Sequence, residues 1–152
     1  MSAAGAASTS RCKHVATSDR WELALVAAEL FVPDVAAAVS FYVDKLGFAL
    51  HRVYPHGEPG PNSAFAILTL ERAVVMFAQD GLYSAMGGSI QSQRGVAIDV
   101  RIMVADVDAL YDRCRRNGVE IAHEIDDRYY GLRDFVASDL NGFRLRFASP
   151  LH

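Results

Sequence analysis

The sequence predicts an α+β fold made of two βαβββ modules whose curved mixed sheets surround a cleft, and three observations carry that expectation. A strand, a capped helix and a glycine stop occur in that order twice, 72 positions apart. Each copy is followed by several strand candidates with no helix among them. Each half is too small to bury a good core alone, so the two must pack together. A doubly wound parallel sheet would need a helix between successive strands, and these halves lack it.

Taken in order, residues 1–22 are rich in Ala, Ser, Gly and Thr, with no apolar signal core, and read as a disordered leader. The scarcity of acids before Asp19 makes a transit peptide the competing reading. Residues 23–32 form an apolar run of strand length, closed by Pro33. Asp34 is a natural N-cap for a helix with Val35, Ala38, Val39, Tyr42 and Leu46 at helical spacing, and Gly47 supplies its stop. Strands are expected over 48–54, 64–70 and 73–78, which completes a first module at 23–80. A Gly/Ser/Gln-rich linker follows over 81–95.

The second module, 96–149, repeats the pattern. Residues 96–104 form the strand, Asp106 caps a helix bearing Val107, Leu110, Tyr111 and Cys114, and Gly118 ends it. Strands follow over 119–125, 132–137 and 143–148, the last two joined by the hairpin pair Asn141-Gly142. Together 23–149 make one domain.

Composition excludes several classes. The chain has 152 residues, 51% hydrophobic and 22% charged, which is ordinary globular usage. A net charge of -3 and the lack of basic clusters interleaved with aromatics argue against nucleic-acid binding. Arg113, Arg115 and Arg116 read as a solvated helix face. No apolar run nears the roughly 20 residues that cross a bilayer. Cys12 and Cys114 suggest no disulfide framework, so a reducing, cytoplasmic setting is expected. No nucleophile elbow or phosphate loop occurs.

Strand parity assigns side chains to faces. In 96–104 the even residues Val96, Ile98, Val100, Ile102 and Val104 should meet the helices, leaving Asp99 and Arg101 opposite. In the last strand Arg144 and Arg146 share that opposite face. The first module offers Ala27, Glu29, Phe31, Val74, Met76 and Ala78 instead. A greasy wall facing a charged wall would make an amphipathic cleft for an organic ligand. The competing reading is a sheet face that is charged because water covers it.

The segment Phe31-Val-Pro-Asp-Val-Ala-Ala-Ala-Val-Ser-Phe-Tyr-Val-Asp-Lys-Leu-Gly-Phe48 resembles the first-module signature of the vicinal oxygen chelate superfamily. That superfamily includes glyoxalase I, bleomycin resistance proteins and extradiol dioxygenases. Gly131 to Phe147 is similar to its closing hairpin, and the likeness spans about residues 24–148. Metal-using members draw His, Gln or Glu ligands from the first and last strands of each module. The corresponding positions here are Ala27, Met76, Asp99 and Arg146, of which only Asp99 is an ordinary oxygen ligand. The resemblance therefore implies no metal and no cofactor, and it suggests an Asp99–Arg146 pair where relatives hold an ion.

Three functions follow as expectations. The first is a metal-free protein of the bleomycin resistance type, binding an amphipathic small molecule, with sequestration of a drug and hence antibiotic resistance as its extension. The resemblance makes it a homodimer, and the charge and hydropathy patterns give it no nucleic-acid or membrane partner. Its ligand-binding residues would be Glu29, Phe31, Phe65, Met76, Asp99, Arg101, Tyr129, Tyr130, Arg144 and Arg146. The second is a divalent-metal-dependent lyase, isomerase or dioxygenase with Glu29 as catalytic base. The third is a non-catalytic interaction domain. Tyr129 and Tyr130 read equally well as a partly buried strand edge.

Overall fold

A computed structural model describes residues 26–90 and 93–151. The leader, Cys12 and the first residues of the 23–32 strand lie outside the described residues.

The first module runs β1 (Ala28–Val32), α1 (Val35–Ser40), β2 (Ala49–Tyr54), β3 (Phe65–Leu70) and β4 (Ala73–Gln79). Asp34 caps α1 by accepting the Ala37 N–H at 2.9 Å. Its path continues as a π-helical stretch, Phe41–Leu46, that ends at Gly47 with φ +87°. Only glycine suits this position twice over. A Cβ there would be strained by the left-handed backbone and would sit 3.1 Å from the Arg113 guanidinium.

A short α2 (Asp80–Ala85) then occupies the start of the segment read as linker. Arg94 closes that segment with a two-pronged salt bridge to Asp80, at 2.5 and 2.8 Å, and a bond to the Phe31 carbonyl at 2.7 Å. The second module is β5 (Asp99–Met103), α3 (Val107–Arg116), β6 (Glu120–Arg128), β7 (Leu132–Ser138) and β8 (Arg144–Pro150). Asp106 caps α3 as Asp34 caps α1, accepting the Ala109 N–H at 2.9 Å.

Each module forms one four-stranded mixed sheet, in the orders β1-β4-β3-β2 and β5-β8-β7-β6. The first and last strands of each module pair in parallel and the remaining neighbours are antiparallel. Helices of both modules share a single apolar core, with Tyr42, Leu46, Phe77, Cys114, Phe135 and Phe147 all fully covered. Burial of about 25 cal/mol per Å2 of such surface holds the modules together. Polar contacts add direction across the seam. Tyr42 donates to the buried Asp139 at 3.0 Å, and the Ala105 N–H donates to Glu71 at 2.9 Å.

Three sequence expectations are corrected here. The 96–104 strand begins only at Asp99: Val96 and Ile98 are 60% and 61% exposed rather than turned to the helices. Gly95 and Ala97 take positive φ values of +65° and +58°, which turns the chain before the ladder starts. Arg113 is no solvated residue of the α3 face. It reaches across to the carbonyls of Lys45 and Asp44 at 3.2 and 3.1 Å and satisfies the end of the first module's helix. Tyr129 and Tyr130 occupy the turn between β6 and β7, not a strand edge.

Candidate functional site

The register places the predicted residues of the second module on one face. Asp99 lies opposite Arg144 and Arg101 opposite Arg146, across the parallel β5–β8 pair. On β7, Val136 lies opposite Arg146, which puts Asp134 on the same face one step away.

Two carboxylates organise this face. Asp99 Oδ1 accepts Arg144 Nε at 2.6 Å, and Asp99 Oδ2 accepts Arg146 Nη2 at 2.7 Å and Nε at 3.1 Å. The expected Asp99–Arg146 pair is therefore present, with Arg144 as an additional partner. Asp134 has 0% side-chain exposure, and its Oδ1 accepts Arg128 Nε at 2.7 Å and Arg146 Nη1 at 3.1 Å. Its Oδ2 accepts the Tyr130 hydroxyl at 3.1 Å and lies 3.7 Å from Arg101 Nη2. Arg101 also donates to the Tyr130 hydroxyl at 3.3 Å and stands over its ring.

Both carboxyls are held below the ordinary aspartate range. For Asp99 the hydrogen bond from Arg144 is the main cause; burial works against it and Arg146 assists. For Asp134 burial is the largest influence and opposes ionisation, but the bonds from Arg128 and Tyr130 and the charges of Arg128 and Arg146 outweigh it.

The first-module residues form a different wall. Glu29 lies opposite Met76 on the β1–β4 pair, and Met76 opposite Ile67 on β3. Phe31 packs on Tyr83 of α2, with ring centres 4.7 Å apart, and Phe65 neighbours Tyr54 at 6.1 Å. Glu29 is exposed and, among the described residues, makes no hydrogen bond or ion pair. No hydrogen bond among the described residues joins Glu29, Phe31, Phe65 or Met76 to the second-module cluster.

An open depression of about 270 Å3 lies where β1 and β4 approach β5. Val26, Ala28, Val74, Val100, Ile102 and Met103 give it an apolar lining, with Arg72 and Arg101 as its polar residues. Of the ten predicted binding residues only Arg101 belongs to it. Tyr129 is fully exposed and meets the cluster through its edge-on contact with Tyr130.

Sequence reasoning missed Asp134, Arg128 and the Arg94–Asp80 clasp. The parity argument was available for Asp134, whose even position in the 132–137 strand matches Arg144 and Arg146 once β7 is set beside β8. Nothing comparable marked Arg128, which enters from a nine-residue β6 that outruns its predicted end at 125.

The donor set at the positions where the resemblance puts metal ligands does not suit a divalent ion. Ala27 has no donor, Met76 offers a thioether, Arg146 is cationic and both Asp99 oxygens are engaged by guanidiniums. Among the described residues no three His, Cys, Asp or Glu side chains converge.

Comparison with known proteins places the chain. The family model of the Glyoxalase/Bleomycin resistance protein/Dioxygenase superfamily matches residues 22–147, and the chain belongs to that superfamily. TioX from Micromonospora sp. ML1 is similar in structure, with a TM-score of 0.66, 26% identity, and coverage of 83% of this chain and 98% of that one. A superfamily member from Nocardioides shares the fold at a TM-score of 0.63 and 20% identity, covering 84% of this chain and 83% of that one. In sequence, an uncharacterised protein of Mycobacterium bovis is 29% identical over 127 residues, 80% of each chain. No helix among the described residues is long and apolar enough to cross a membrane.

Proposed function

We propose that the protein binds an amphipathic organic small molecule without a metal ion, as a homodimer. One observation carries this reading: the single oxygen ligand left among the family's metal positions, Asp99, has both oxygens taken by Arg144 and Arg146. A cation entering there would have to displace two guanidiniums and would meet their repulsion. The remaining charged groups suit recognition of a polar ligand end, and the apolar depression beside β5 suits its carbon body.

Support for the dimer is the exposed apolar pair Val96 and Ile98, which lies outside the depression, just ahead of the sheet-edge strand β5. A second copy covering them would remove apolar surface and a free strand edge from water. Light scattering of the purified chain should give the mass of two copies; the mass of one removes the dimer from the reading.

A thermal-shift screen of organic small molecules, run once with chelator and once with added divalent ions, separates the three functions. A ligand at 100 times its Kd stabilises by about 2.7 kcal/mol, a shift of several degrees for a domain of this size. Hits that persist in chelator are expected. Hits that require metal would mean a lyase, isomerase or dioxygenase, with Glu29 as the base to examine. A chain that responds to nothing in either condition would be an interaction domain.

A further inference from the structure

The arginine cluster narrows the chemistry of the ligand. Around Asp99 and Asp134 stand Arg101, Arg128, Arg144 and Arg146, so guanidiniums outnumber carboxylates on this face. Asp126 lies 3.8 Å from Arg128 but is 70% exposed, where water screens it.

The four arginines divide into two pairs. Arg128 and Arg146 are mostly covered and donate inside the cluster, to Asp134, His123 and Asp99. Arg144 has one bond, to Asp99, and its side chain is 42% exposed. Arg101 has one long bond, to Tyr130, and is 38% exposed. These two sit diagonally on neighbouring strands of one face, each with guanidinium N–H groups to spare.

The buried part of the cluster pre-sets the open part. Asp134 fixes Arg146, Arg146 shares Asp99, and Asp99 holds Arg144 by its Nε, leaving the outer nitrogens of the fork clear. Such preorganisation lowers the entropy cost of gripping an oxyanion in planar, two-bond geometry. A cationic ligand would find both carboxylates already filled. Arg101 also lines the depression alongside Val100, Ile102 and Met103, so one residue borders both the charged and the apolar surfaces.

We infer that the site takes amphipathic organic oxyanions, with a carboxylate or phosphate held by Arg101 and Arg144 and the apolar body in the depression beside β5. This rests on the proposed ligand-binding reading and names its ligand class. The field that keeps Asp99 and Asp134 ionised acts in the same sense on an incoming acid group.

The test is an NMR titration of the full chain in low salt with four probes: benzoate, phenyl phosphate, benzamidine and benzyl alcohol. The arginine Nε–H signals and the probe affinities are followed in the wild type, Arg101→Gln, Arg144→Gln and Arg144→Lys. Arg144→Gln leaves Asp99 paired with Arg146, so the fold is retained. The two anions should move the Arg101 and Arg144 signals and bind more tightly than the cation and the alcohol. Each Gln variant should weaken benzoate about tenfold, the loss of one charge-assisted contact, and Arg144→Lys should recover part of it. Equal anion affinity in wild type and both Gln variants overturns the inference. So does a preference for benzamidine or benzyl alcohol, which leaves the ligand-binding reading standing. Absence of binding by all four overturns it as well, and the chelator screen then decides the broader reading by itself.

Discussion

The two modules have the same backbone register and opposite chemistry. Glu29 faces Met76 across β1 and β4 as Arg101 faces Arg146 across β5 and β8. Phe65 and Asp134 are likewise equivalent, each placed opposite an alanine, Ala78 or Ala148, one step along from that pair. Val74 corresponds to Arg144. The duplicated scaffold therefore specifies where a side chain is presented without specifying which. Module 1 fills its positions, the exposed Glu29 apart, with apolar groups that need no partners. Module 2 fills them with ions, and every buried ion must then be matched.

The largest effect that would expose this difference comes from placing leucine at the same structural position in each wall. Asp134→Leu leaves Arg128 and Arg146 around a position with no carboxylate, and breaking such a buried arrangement costs about 3 kcal/mol. Phe65→Leu exchanges one apolar group for another at a half-buried site and should cost about 1 kcal/mol. Urea unfolding of both variants measures the pair. Equal losses would mean that the ion cluster contributes no more than ordinary packing.

The contrast was partly legible beforehand. Capping residues Asp34 and Asp106 and the stops Gly47 and Gly118 are local signals, so the repeat could be read without knowing which strands touch. Strand parity likewise brought Asp99, Arg144 and Arg146 to one face, because it needs only a period of two. Asp134 escaped because its partners come from three other strands or turns, and their convergence depends on sheet order and register. Val96 and Ile98 misled for the converse reason. They extend the alternation of β5, but hydrophobic periodicity does not mark where the hydrogen-bonded ladder begins. That start is set by the turn at Gly95, where a Cβ would meet the Gly142 carbonyl oxygen at 2.7 Å.

A smaller effect comes from Asp99, and its pH dependence carries the sign. Its folded pKa is lowered, chiefly by the hydrogen bond from Arg144, so the unfolded chain binds a proton more readily than the native one. The resulting stabilisation is complete above the unfolded aspartate value, near about pH 4, and is lost as pH falls through the lowered folded value. Asp134 acts in the same direction. Asp139 acts oppositely: burial raises its pKa despite bonds from the Phe143 and Asn141 N–H groups and from Tyr42, so its contribution declines as pH rises from the unfolded value through the raised one. Asp99→Asn should therefore cost about 1 kcal/mol at neutral pH, a figure discounted for partial exposure and solvent screening. The gap between variant and wild type should close in acid, as wild-type Asp99 takes up its proton. Urea midpoints from pH 7 down to the onset of acid unfolding measure this gap. A gap that stayed constant would show that Asp99 contributes through shape alone, and that the charged wall owes its order to Asp134.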